Sequence, residues 1–108
     1  MLALWPMKEL TQNEFATATA SGVSLVDFST EWCAPCKTML PIVQRIAGDY
    51  AGRLRVYSVD AEKEQELAMK QMVMSFPTFL IFKDGKLVDR VVGAIADPKL
   101  RAKIDAVL

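Results

Sequence analysis

Histidine is absent from all 108 residues. Imidazole is thereby removed as general base, proton shuttle and metal ligand, and any acid–base step is left to carboxylates or thiols. Neither sign of charge is in surplus: 13 Lys and Arg balance 13 Asp and Glu, with no block of like charge. The chain therefore has no electrostatic footprint for nucleic acid or for an anionic membrane surface. No apolar run approaches the roughly 18 residues of a membrane span. The apolar residues 1–7 lack a basic start and contain Pro6, and they reach only about half the length of a signal-peptide core. This reading predicts no export signal and a cytoplasmic protein. No repeat, linker or glycine-rich dinucleotide fingerprint is visible. Cysteine is scarce as well, and two are too few for a secreted scaffold in which bridges stand in for a core. What remains is 52% apolar and 24% charged, which predicts one globular domain over residues 1–108.

The spacing Thr11-Gln12-Asn13-Glu14 is that of a capping box, with Thr11 as N-cap, and predicts a first helix to about residue 18. Residues 23–28 are apolar and β-branched at two sites, as in a strand buried on both faces, interrupted only by Asp27. Met39, Leu40, Val43, Ile46, Ala47 and Tyr50 then recur at helical spacing, so a long helix begins at Ala34, with Pro41 inside it as an expected kink. A second strand over 54–59 and a short helix over 62–69 follow. Residues 78–82, the turn Lys83-Asp84-Gly85-Lys86 and residues 87–92 predict an antiparallel hairpin. Asp97 as N-cap and Pro98 at the first helical position open a last helix to residue 108, whose Lys and Arg residues read as a solvated face. This order predicts an α/β fold with a central mixed sheet covered by helices on both faces.

The two cysteines are Cys33 and Cys36, in the run Trp32-Cys33-Ala34-Pro35-Cys36-Lys37 after the first strand. At the start of a helix, positions three apart share a face with about 5–6 Å between Cβ atoms. A disulfide needs about 3.5–4.5 Å, so a tightened turn closes the bond and a relaxed one holds two thiols. Cys33, beside the N-cap, meets unpaired N–H groups and the positive end of the helix dipole, which favour the thiolate. It is therefore the candidate nucleophile, and Cys36, one turn deeper, the thiol that resolves the mixed disulfide. Two cysteines and no histidine argue against a self-contained tetrahedral zinc site, while a metal shared between chains stays open. Asp27, a carboxylate in a buried strand, is a candidate base for Cys36, because burial raises its pKa; a charge paired or wet at a strand end is the alternative. Pro77 precedes the third strand and is either an ordinary strand-entry proline or a cis residue that turns the Phe76 backbone outward to pair with an extended substrate.

In order and spacing, Val26-Asp27-Phe28, Trp32-Cys33-Ala34-Pro35-Cys36-Lys37, Pro41, Phe76-Pro77-Thr78, Phe82-Lys83-Asp84-Gly85 and Val92-Gly93-Ala94 closely resemble the thioredoxin family, over roughly residues 10–108. The resemblance implies a thioredoxin fold with a mixed sheet of four to five strands. It implies Cys33 as nucleophile, Cys36 as resolving thiol, Asp27 as buried base and Pro77 as cis-proline. Trp32, Pro35, Phe76 and Gly93 would border the docking surface. It further implies a monomeric protein-disulfide reductant whose redox-active disulfide is its own, with no bound cofactor, recharged by a flavin-dependent, NADPH-using thioredoxin reductase. Three departures stand out: Ala34 for the usual glycine, Ser29 where many members carry tryptophan, and Ser58 where a lysine often faces the aspartate. A disulfide isomerase or oxidant, and a docking module with an incidental pair, are the rival readings; Pro35 favours the reductant. Met69, Met72 and Met74 read as core filling, with Met74 alternatively widening partner choice.

Overall fold

The computed structural model describes residues 7–108, so the reading of residues 1–7 as lacking an export signal lies almost wholly outside the described residues. In chain order the elements are β1 (Lys8–Glu9), α1 (Gln12–Ala18), β2 (Val23–Ser29), α2 (Ala34–Asp49), β3 (Arg55–Asp60), α3 (Gln65–Lys70), β4 (Thr78–Lys83), β5 (Lys86–Val92) and α4 (Asp97–Asp105). The strands form one sheet in the order β1-β3-β2-β4-β5. β1 and β2 run parallel to β3, while β4 runs antiparallel to both β2 and β5. This is the mixed sheet expected from the alternation of elements.

Strand alternation divides the interior into two layers. Val23 and Leu25 of β2, Val56 of β3, and Phe79 and Ile81 of β4 pack with Met39, Val43, Ile46 and Ala47 of α2 and with Leu100 and Ile104 of α4. The residues between them, Val26, Phe28, Val59, Leu80 and Phe82, pack with Phe15 of α1 and Leu67 and Ala68 of α3. Phe15 meets Phe28 and Phe82 edge-on, with ring centroids 6.2 and 5.4 Å apart. Pro41 sits inside α2 without ending it, and Val43, Ile46 and Ala47 carry the buried stripe on past it. The capping box of α1 forms as read: the Thr11 N–H donates to Glu14 Oε1 at 3.0 Å.

Several boundaries differ from expectation. β1 was not foreseen, because Lys8-Glu9 has no apolar alternation; its strand character comes from pairing with Tyr57 and Ser58 on the free edge of β3. α3 starts at Gln65 rather than 62, since the Asp60 carboxylate takes the N–H groups of Glu62 and Lys63 at 2.9 and 3.4 Å and holds them in a turn. Ala96 is the N-cap of α4, so Asp97 and Pro98 lie in its first turn, and the helix ends at Asp105. Arg101 is not simply solvated; it pairs with Asp97 and reaches Asp49 of α2 at 2.9 Å. The core-filling expectation for Met69, Met72 and Met74 is overturned, for all three are exposed. Met72 adopts φ 58 just past α3, which turns this stretch outward and sends only Val73 into the core, its N–H donating to Ala68 at 2.8 Å.

The β4–β5 hairpin turns on Asp84 and Gly85, both at positive φ (50° and 86°), the pattern of the tight turn that matches strand twist. Gly85→Ala is expected to cost about 1–2 kcal/mol in urea unfolding, because a Cβ there is strained by the backbone conformation even though space is available. An unchanged midpoint would show that the turn relaxes.

Candidate active site

The sheet register assembles the site from distant segments. Phe28 of β2 pairs with Thr78 of β4, and Thr78 with Val92 of β5. The chain leaving β2 toward the cysteines, the Phe76-Pro77 entry to β4 and Gly93 after β5 therefore lie at one end of the sheet. The Gly93 N–H donates to the Pro77 carbonyl at 2.7 Å and ties the last two together. Gly93 has φ 93, a left-handed backbone that a side chain would strain. The Phe76–Pro77 peptide is cis, as one of the two readings of the sequence expected, and Thr78 Oγ1 donates to the Ser75 carbonyl at 2.7 Å beside it.

Cys33 is the N-cap of α2 in extended conformation, with Pro35 in the first turn, where its missing N–H is not needed. Cys33 and Cys36 are joined in a disulfide with Cα atoms 5.2 Å apart. The Cys36 N–H donates to Cys33 Sγ at 3.1 Å, so a backbone donor at the mouth of the helix is aimed at that sulfur. Cys33 is partly exposed and Cys36 buried. Trp32 is 79% exposed beside them, and Pro35 is open to solvent. Phe76, by contrast, is half-buried against the α1/α3 layer.

Asp27 follows Val23 and Leu25 on the α2 face of β2, and Cys36 is buried on α2 together with Met39 and Val43, which pack on that face. Its lateral neighbours are Ser58 on β3 and Phe79 on β4. It is 3% exposed, and its Oδ1 has no hydrogen-bond partner among the described residues. Desolvation pushes its pKa from 3.8 up to about 7. Among the described residues no cation pairs with it, as Ser58 in place of lysine leads one to expect. The paired-charge alternative for Asp27 is thereby set aside. Ser29 and Ser58 line a polar cavity of about 300 Å³ with Glu31 and Asp60 at this end of the sheet. No group of three or more potential metal ligands occurs among the described residues.

A disulfide of CxxC spacing at the N-terminus of a helix, at the rim of a mixed sheet and following a strand that carries a buried carboxylate, is the constellation of a thiol–disulfide oxidoreductase. Comparison with known proteins makes this particular. A family model described as thioredoxin matches residues 6–106. Thioredoxins of Staphylococcus epidermidis and Staphylococcus aureus are 44% and 42% identical over 85 residues, covering 79% of this chain and 82% of theirs. The crystal structure of Malassezia sympodialis thioredoxin (Mala s 13) superposes with TM-score 0.80 at 30% identity, covering 94% of this chain and 90% of that one. The chain belongs to the thioredoxin family, with the thioredoxin fold, and is a protein-disulfide reductase.

Sequence reasoning did not find Arg90, which lines a groove with Met72 and Met74 at the same end of the sheet. The methionines carried a usable signal, since their spacing of three and then two fits neither a helix stripe nor a strand face. Arg90 carried none, because its neighbours are set by strand pairing.

Proposed function

We propose that Cys33 is the nucleophile, Cys36 the resolving thiol and Asp27 the base that serves it. In the reduced protein the Cys33 thiolate attacks one sulfur of a substrate disulfide, forming a mixed disulfide and releasing the other sulfur as a thiolate. Asp27 takes the proton from Cys36, whose thiolate attacks Cys33 Sγ. The Cys33–Cys36 bond forms, the mixed disulfide breaks, and the second substrate sulfur leaves as a thiolate that is then protonated. Two electrons pass to the substrate; the Cys36 proton held on Asp27 is released to one leaving thiolate, and solvent supplies the proton of the other. The observation that carries this assignment is the asymmetry of the pair: Cys33 Sγ accepts the Cys36 N–H at 3.1 Å at the exposed mouth of α2, whereas Cys36 is buried.

Trp32, Pro35, Phe76, Pro77 and Gly93 serve as the docking rim, with the substrate chain extended beside Phe76-Pro77. The partners are disulfide-containing proteins and, for return to the dithiol, an NADPH-dependent thioredoxin reductase; flavin and NADPH reside on that enzyme. A reducing compartment, the cytoplasm, suits a chain whose only cysteines are this exchanging pair. The protein acts as a monomer of one domain.

Alkylation of the reduced protein at pH 7 tests the assignment of the sulfurs. Cys33 is expected to be labelled at least about tenfold faster than Cys36, following thiolate fraction and access. Equal, slow labelling of both, at the rate of free cysteine, would overturn it.

A further inference from the structure

A second feature lies at the same end of the sheet, on the face that Thr78 shares with Leu80 and Phe82 and that α1 and α3 cover further along. Met72, Met74, Ser75, Thr78, Arg90 and Val92 line an open groove of about 370 Å³. Three of its walls are large apolar side chains standing in water: Met72 is 74% exposed, Met74 87% and Val92 60%. Single exposed apolar residues need no explanation, but a contiguous set around one concavity marks a contact surface. Met72 also holds φ 58, a conformation that glycine or asparagine adopts at less cost than methionine.

Arg90 gives the groove a sign. Its guanidinium donates to the carbonyls of Gln71 at 2.8 Å and Met72 at 3.5 Å, which fixes it against the turn that carries the methionines. No carboxylate among the described residues forms an ion pair with it. The adjacent Asp89 is engaged by Lys103 at 3.4 Å. A positive charge beside a flexible apolar wall complements a segment carrying both apolar side chains and a carboxylate. The groove is also continuous with the docking rim. Met74 and Ser75 lead directly into Phe76-Pro77, and Val92, paired with Thr78, leads into Gly93.

We propose that this groove is a specificity subsite of the reductase: it takes the extended stretch of a protein substrate a few residues beyond the attacked cysteine, where that stretch carries apolar side chains and an acidic residue. This rests on the docking reading above. Thioethers adapt to different apolar shapes while Arg90 fixes the sign of charge, so the subsite selects by composition more than by sequence.

Three disulfides test it: a peptide disulfide flanked by Leu-Leu-Glu, the same peptide flanked by Ser-Ser-Lys, and hydroxyethyl disulfide, which is too small to reach the groove. The wild type is expected to show a KM about tenfold lower for the first peptide than for the second, at similar kcat. Met72→Asn combined with Met74→Gln should remove the apolar share of that difference and Arg90→Gln the charge share, each bringing the two KM values to within about threefold, while hydroxyethyl disulfide reduction is unchanged. Asparagine suits the positive φ at position 72, so this variant should unfold at no lower a temperature than the wild type. Equal KM values for both peptides in the wild type, or equal slowing of all three disulfides in the variants, would overturn the subsite. So would a wild-type dimer that the double variant converts to monomer, because the groove would then be occupied by a second copy. Wild-type inactivity toward all three would instead refute the reductase chemistry itself.

Discussion

Cys33→Ser is expected to abolish reduction of protein disulfides, with a fall of roughly 10³-fold or more in an insulin-reduction assay, the scale on which a covalent nucleophile acts. A serine hydroxyl at the mouth of α2 is not ionised near neutral pH, so the helix N-terminus that favours a thiolate has no anion to stabilise. Cys36→Ser should fail differently. Cys33 still attacks, but nothing resolves the mixed disulfide, and the variant is expected to accumulate covalently bound to its substrates, released by a reducing agent. Co-purification of such adducts would identify physiological partners directly. Activity of Cys33→Ser equal to wild type would remove the catalytic role of the pair and leave the fold as a docking platform. The loss should come without a loss of fold, because Cys33 contributes no side chain to either core layer.

The second large effect is on stability and its pH dependence, at Asp27. Folded, its carboxyl has a pKa near 7, raised by desolvation from the ordinary 3.8 that it regains on unfolding. Between these values the native state holds a proton that the unfolded chain gives up. The stability linked to this group is therefore fully present below about pH 4 and is lost as pH rises through about 7. The full loss is roughly 4 kcal/mol, a large share of the total stability of a small domain. Asp27→Asn has no such titration. Urea unfolding should show the variant gaining on the wild type by up to roughly 4 kcal/mol between pH 4 and pH 8. A constant difference across that range would mean that Asp27 stays charged, or finds a partner, when folded.

The same substitution should slow release from a trapped mixed disulfide, because it removes the proposed acceptor of the Cys36 proton in a chain with no histidine. The two readouts oppose each other. A residue kept for packing alone would not raise stability when neutralised and also slow resolution. Ser58, beside Asp27 on β3, makes this chain a sharp case, since no lysine there offsets the cost of ionising the carboxylate.

Much of this was legible in one dimension because the signals were local. The capping box at Thr11-Glu14, the helical stripe of Met39, Val43, Ile46 and Ala47 and the Asp84-Gly85 turn are each fixed by residues a few positions apart and formed as read, Leu40 alone of the stripe's residues facing solvent. The cysteine pair needed no tertiary information either, because three-residue spacing at a helix start determines reach and asymmetry together. The cis state of Pro77 was open between two readings, since local sequence permits both and the surrounding contacts select one.

Other features belonged to no segment by itself. β1 is a strand only because β3 offers it an edge, and nothing in Lys8-Glu9 announces that. The methionines after α3 have the composition of core residues, and only the reversal at Met72, with Val73 alone turning inward, places them in solvent. Arg90 meets them through strand pairing, across a separation of 18 residues from Met72. The sequence by itself determined the chemistry of this protein, two sulfurs at a helix start and a carboxylate in a buried strand, because reach, ionisation and burial tendency are set by near neighbours and residue type. Tertiary structure alone decided what surrounds that chemistry: the burial of Asp27 without a partner among the described residues, the meeting of Pro77 with Gly93, and the groove beside them. Each of these depends on which strands pair and in what register, and strand register is settled by contacts between segments far apart in the chain.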